Sequence, residues 1–161
     1  MHVRLANPSD EDAVVAYLSR LADQWGLRMA DGSSFPFHEH RARPVVRNAL
    51  AQRDAWIAVI GETEIEAAIG LEMNRPFFSD APFISDLFTT VAPAFRDKGH
   101  FNALIEFAKS VAHAAGLPLV LGVIANDRVE AKRRLFTMKM GQPSGSFYVY
   151  QPKSGAREIA A

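Results

Sequence analysis

The chain has 161 residues, with 18 basic and 18 acidic side chains and a formal charge of zero, so no global field recruits nucleic acid or an anionic membrane. It contains no cysteine, which removes disulfides, thiolate nucleophiles and cysteine-ligated zinc or iron–sulfur centres. The length suits one domain with a single core, and the longest apolar run, "LPLVLGVIA", is far short of the roughly 20 residues that cross a bilayer. The opening "MHVRLANPSDED" lacks the apolar stretch of a secretory signal, so the expectation is a cytoplasmic protein with neither a membrane nor a nucleic-acid partner.

"HVRLA" alternates as a short first strand. "NPSDEDAVVAYLSRLADQWG" then reads as a helix capped at Ser9, with acidic residues in its first turn and Val14, Val15, Leu18, Leu21, Ala22 and Trp25 on its inward stripe. Residues 27–44 have no clean period and read as loop with some helix, a possible substrate lid. A second helix is expected from Arg43 to Gln52. "AWIAVIGETEIEAAIGLEMN" reads as a hairpin turning at Gly61-Glu62-Thr63, with Ile65, Ala67, Ile69, Leu71 and Met73 alternating onto one face. "FISDLFTTV" is a further strand. From His100 to Ala115 apolar residues recur at helical spacing until Gly116. "LPLVLGVIA" reads as a strand covered on both faces, "NDRVEAKRRLFTMKMG" as a basic helix, "SFYVYQ" as a last strand and 153–161 as a loose tail.

The informative stretch is "VAPAFRDKGHFNALIEFA": strand, proline-punctuated loop, glycine, long helix. Such a loop aims free backbone amides at an anion, and a phosphate suits a helix amino terminus. The stretch lacks the glycine-lysine-serine/threonine ending of a P-loop and the three glycines of a dinucleotide fingerprint, so neither a kinase nor a dehydrogenase follows.

"ISDLFTTVAPAFRDKGHFNALIEFA" resembles the coenzyme-A signature of the GNAT superfamily of N-acetyltransferases. In that family a strand enters a V-x-P-x-x-R-x-x-G-x-G/A loop and then a long helix, and Val91, Pro93, Arg96 and Gly99 match in order. The order of the other elements matches over nearly the whole chain. The resemblance implies one acyl-CoA N-acyltransferase domain over residues 1–152. Its fold would be α/β, with a mixed, mostly antiparallel sheet of six to seven strands, splayed between strands four and five and flanked by about four helices.

The resemblance further implies that the amides of Asp97, Lys98, Gly99, His100, Phe101 and Asn102 hold the diphosphate of acetyl-CoA, with Arg96 also at the cofactor. Thr89, Thr90 and Val91 would bond the pantetheine arm, and Asn126 would reach it from the far side. On the last helix, one or two of Arg128, Lys132 and Arg133 or Arg134 would meet the adenosine phosphate, and Phe136 stands where relatives often carry a tyrosine that protonates the departing thiolate. Phenylalanine cannot donate that proton, which leaves Tyr148, Tyr150 or water. The spacing from Phe136 to Gly141 looks one residue longer than usual. Phe101 replaces the usual glycine or alanine, with its ring expected beneath the helix.

Moving an acetyl group from a thioester to an amine needs a base for the amine proton. Asp86, on strand four, is the first candidate and Glu72, on the strand before it, the second; each also reads as an ordinary strand residue. "HEH" at His38 to His40 supplies two histidines in a loop without an evident third ligand, so no metal site is expected. The expected activity is acetyl transfer to a small-molecule or peptide amine by direct attack in a ternary complex, with acetyl-CoA as co-substrate and a homodimer as a possible assembly. The competing expectation is a weakly active or inactive coenzyme-A-binding or protein-interaction module of the same fold.

Overall fold

The structure is a computed structural model that describes residues 2–22, 32–51, 53–122 and 129–145. Two compact units divide the chain: residues 1–21 with 37–122, and residues 22–36 with 123–161.

The first unit is built on a mixed sheet. Its strands are β1 (Val3–Leu5), β2 (Ala55–Ile60), β3 (Ala67–Asn74), β4 (Phe83–Val91) and β5 (Leu119–Val120), in that spatial order. The first three pairings are antiparallel and β4 pairs with β5 in parallel. Helices α1 (Glu11–Leu21) and α2 (Glu39–Ala51) cover one face, where Val14, Val15, Leu18 and Val46 pack against Ile57, Val59 and Ala68. Helix α3 (His100–Ala115) covers the other, where Leu104, Ala108 and Ala112 meet Ala58, Ile60, Ile69, Leu71 and Ile84. Strand residues therefore alternate between two cores, as a sheet buried on both sides demands. Each fully buried Ile or Leu contributes about 1.5–3 kcal/mol.

Strands β4 and α3 run over the residues their periodicity predicts. The sheet has five strands among the described residues; the expected last strand, 146–151, lies outside them, as do Trp25 and the tail. Two expectations are corrected. Helix α2 begins at Glu39 rather than Arg43, so His40 is helical and His38 precedes the helix. Ion pairing accounts for that extra turn, because Arg43 bonds Glu39 at 2.6 Å and reaches Glu11 and Asp12 on α1. Ile65 packs with the α1/α2 core, not with Ile69, because β3 starts two residues later, where the Glu66 amide closes the turn onto the Ile60 carbonyl at 2.8 Å.

One irregularity positions the site. Gly70 pairs with Phe88 but Leu71 pairs with Asp86, so Leu87 is an extra residue in β4, a β-bulge. The Phe88 ring fills the space over Gly70, where a Cβ would lie 2.6 Å from its Cε1 atom. In a regular strand residues i and i+3 point to opposite faces; across the bulge, Asp86 and Thr89 lie opposite Leu71 and Ile69, both of the α3 core.

In the second unit α4 (Val129–Met140) is a basic helix ended by Gly141 at φ 95°.

Candidate functional site

The β4–β5 ladder has two rungs, Ile84 with Leu119 and Ser85 with Val120. Beyond them no described strand pairs with that edge of β4, although β3 accompanies the other edge to Val91. Val120 is 51% exposed, so β5 is not covered on both faces as its apolar run suggests. Where the ladder stops, the Gly122 amide donates to Asp86 Oδ1 at 2.9 Å and the Thr89 hydroxyl donates to Oδ2 at 3.2 Å. Burial pushes the Asp86 carboxyl up from its ordinary value, against the pull of these two donors.

Past Thr89 the chain is tied down from α1. Tyr17 is fully buried and its hydroxyl donates to the carbonyls of Thr90, at 3.2 Å, and Glu66, at 3.3 Å; burial also raises its pKa. The Ala92 amide donates to the same Glu66 carbonyl at 2.8 Å. A single 3-10 turn, Pro93–Phe95, follows. Asp97 (φ 66°) and Gly99 (φ 82°) are both left-handed, a conformation that tolerates Asp and suits Gly. Alternation of this kind turns successive amides toward one side of a loop. No side chain caps α3 at Gly99, and its first turn carries no acidic residue. The first-turn amides of a helix have no intrahelical acceptor, so this end offers donors and a partial positive charge to an anion. The Lys98 ammonium lies 4.8 Å from the centre of the Phe95 ring. His100 is 5% exposed and its Nε2 lies 2.6 Å from Glu66 Oε2, while its Nδ1 and the Asn102 Oδ1 are buried with no partner among the described residues.

Of the residues singled out in the sequence, the structure brings together Asp86, Thr89, Thr90, Val91 and the loop from Arg96 to Asn102. Glu72 is on the opposite face from Asp86: it pairs with Ser85, and the Asn74 amide bonds both of their side chains. The two carboxylates are therefore alternatives, not a pair. Phe101 is half-buried. Arg133, bonded to Glu130 at 2.8 Å, and Phe136 belong to the second unit, and Asn126 and Tyr148 lie outside the described residues. Among the described residues no cluster of His, Asp and Glu is arranged to hold a metal ion, and no helix is long and apolar enough to cross a membrane. Sequence reasoning missed Tyr17 and Glu66, which shape the loop from outside the signature, and Phe95, which does so from one of its variable positions.

No protein-family model and no curated protein matches the sequence. Solved structures do resemble it. An integron cassette protein from the mobile metagenome of Cole Harbour salt marsh is 19% identical, with TM-score 0.70 over 98% of this chain and 92% of that one. The aminoglycoside antibiotic 6'-N-acetyltransferase AAC(6')-IG from Acinetobacter haemolyticus is 16% identical, with TM-score 0.66 over 96% and 99%. AAC(6')-Iy, in complex with the bisubstrate analogue CoA-S-monomethyl-acetylneamine, is 11% identical, with TM-score 0.67 over 94% and 97%. The likeness is one of fold: an α/β chain with a mixed sheet and, among the described residues, four α-helices shares its architecture with solved acetyltransferases.

Proposed function

We propose that this protein is an N-acetyltransferase that moves an acetyl group from acetyl-CoA to a primary amine by direct attack in a ternary complex. One observation carries the reading: β4 loses β5 after two rungs and runs, past a strand edge without a described partner, into a left-handed loop and an uncapped sixteen-residue helix. A flexible, amide-bearing arm suits the first part and a diphosphate the second. In this reading the main chain of Thr89, Thr90 and Val91 meets the pantetheine arm, with Asn126 opposite. The amides from Asp97 to Asn102 would hold the diphosphate, Arg133 would meet the adenosine phosphate, and Phe136 takes the place of a hydroxyl that would protonate the thiolate.

Acetyl-CoA supplies the acyl group as an activated thioester. Asp86 is the preferred base: it stands where the ladder opens, and its raised pKa makes it a better proton acceptor than an ordinary carboxylate. Glu72, on the other face, is the alternative. A β4 amide polarises the carbonyl, and Tyr148 or water returns the proton to the thiolate. The small-molecule acceptors named for two solved relatives support a small amine as substrate.

A second reading, a coenzyme-A-binding module without turnover, is favoured by two features: both Asp86 oxygens already accept hydrogen bonds, and Phe136 has no hydroxyl. A thermal-shift titration with acetyl-CoA followed by an amine panel separates the readings. Ligand at 100 times Kd adds about 2.7 kcal/mol, a rise of several degrees in Tm. No rise sinks both readings; a rise without turnover on any amine leaves the module.

A further inference from the structure

We propose that Glu66 is the positioning residue for the anion-binding loop, holding residues 92–99 at both ends and, through a line of rings, fixing the cation in their midst; this rests on the coenzyme-A reading of that loop. The Glu66 main chain is anchored on three sides. Its amide donates to the Ile60 carbonyl at 2.8 Å, and its carbonyl accepts from the Ala92 amide at 2.8 Å and the Tyr17 hydroxyl at 3.3 Å. The start of the loop is thereby tied to the ends of β2 and β4 and to α1. The side chain reaches the other end of the loop, where Oε2 lies 2.6 Å from Nε2 of His100, the first residue of α3.

A carboxylate only accepts, so Nε2 is the donor and the ring orientation is set by Glu66. His100 then stands 5.7 Å from the Phe95 ring, and the Lys98 ammonium 4.8 Å from that ring on the loop surface. The line Glu66, His100, Phe95, Lys98 gives an exposed lysine a defined place. The carboxylate engages a ring nitrogen here, and α3 has no side-chain cap, so it orders the helix end without capping it. Its own charge opposes an anion bound nearby, so a role through charge and a role through position predict opposite effects when that charge is removed.

The experiment measures coenzyme-A Kd by calorimetry, KM and kcat for acetyl-CoA, and amide hydrogen exchange over residues 93–100 without ligand. Glu66→Ala, and Glu66→Asp, which keeps the charge and backbone bonds but shortens the reach, should each raise Kd and KM at least about tenfold, the equivalent of one buried hydrogen bond. The kcat at saturation should stay near wild type, and the loop amides should exchange faster. Glu66→Gln keeps an acceptor and should restore wild-type Kd and exchange. If wild type does not bind coenzyme A, the reading of the loop fails whatever Glu66 does. If wild type binds and the Ala and Asp variants bind equally well, Glu66 holds nothing and the inference is overturned. A Gln variant that binds much more tightly than wild type overturns it in favour of charge, and one that binds as poorly as Ala overturns it because an acceptor at the right reach does not hold the loop.

Discussion

Helices α1 and α3 both begin where the chain leaves a strand, and their amino ends are finished in opposite ways. Ahead of α1, Asn7 and Asp10 form a reciprocal capping box, Asp10 also takes both guanidinium nitrogens of Arg4 at 2.8 Å, and Glu11 and Asp12 fill the first turn. Glu11 is in turn bridged by Arg43 and Arg47. The turn Pro8–Asp10 that leads into α1 is thus capped by Asn7, and the positive end of the helix faces the protein's own carboxylates. At α3 a left-handed glycine takes the cap position, no acidic side chain enters the first turn, and the Glu66 carboxylate is turned onto a histidine ring. An end left without a side-chain cap keeps its donors open to an anion from outside.

The contrast can be broken at several points. The largest effect is expected from Asp86→Asn, at the open end. Asparagine can still accept from Gly122 and, with its amide, donate to Thr89, so the fold should survive, whereas loss of a general base lowers kcat by roughly 10²–10⁴. The raised Asp86 pKa means that its protonated form is favoured on folding. Its stabilising contribution is therefore complete below the ordinary carboxylate pKa and is lost as pH rises through the raised value. The Asn variant should be at least as stable as wild type at pH 7, and wild-type kcat should fall as pH drops through that same raised value. Denaturant melts and a pH–rate profile check both.

Lys98→Glu would give α3 the kind of acidic start that α1 has. Because Lys98 is exposed, stability should barely change, while coenzyme-A Kd rises about tenfold, to be read by calorimetry. Asn7→Ala attacks the closed end: it should cost about 1 kcal/mol, or about 2–4 °C in Tm, with coenzyme-A affinity unchanged. The smallest effect concerns Glu11, whose hydrogen bonds to Arg47 and Arg43 lower its pKa from 4.5 to about 2. Its contribution is present above pH 4.5 and lost as pH falls toward about 2, so Glu11→Gln should flatten the acid limb of a stability profile.

What the sequence announced were the features with a period or a punctuating residue. Strand β4 and helix α3 fall on their expected residues because alternation, Gly99 and Gly116 mark them locally. The start of α2 was hidden because it depends on Arg43 reaching carboxylates on another helix. The displaced face of Ile65 depends on a turn that closes at Glu66, and the two described rungs of the β4–β5 ladder join residues far apart in the sequence, Ile84 with Leu119 and Ser85 with Val120. In the candidate site, the signature pointed to the loop and to Asp86. It could not point to Glu66, which meets His100 across 34 positions of sequence, or to the bulge at Leu87, which shows only when the Phe88 ring is seen lying on Gly70.

That additional residue in β4 acts as a parity switch. Upstream of it, odd and even positions face one way, and downstream they have traded places, so the carboxylate and the hydroxyl that meet at the fork owe their meeting to one leucine. In a regular ladder Leu87 would take the rung opposite Leu71, and Asp86 would move to the other side of the sheet from Thr89. A slip of one residue, with no change of sequence, would then part the two groups while sparing the scaffold.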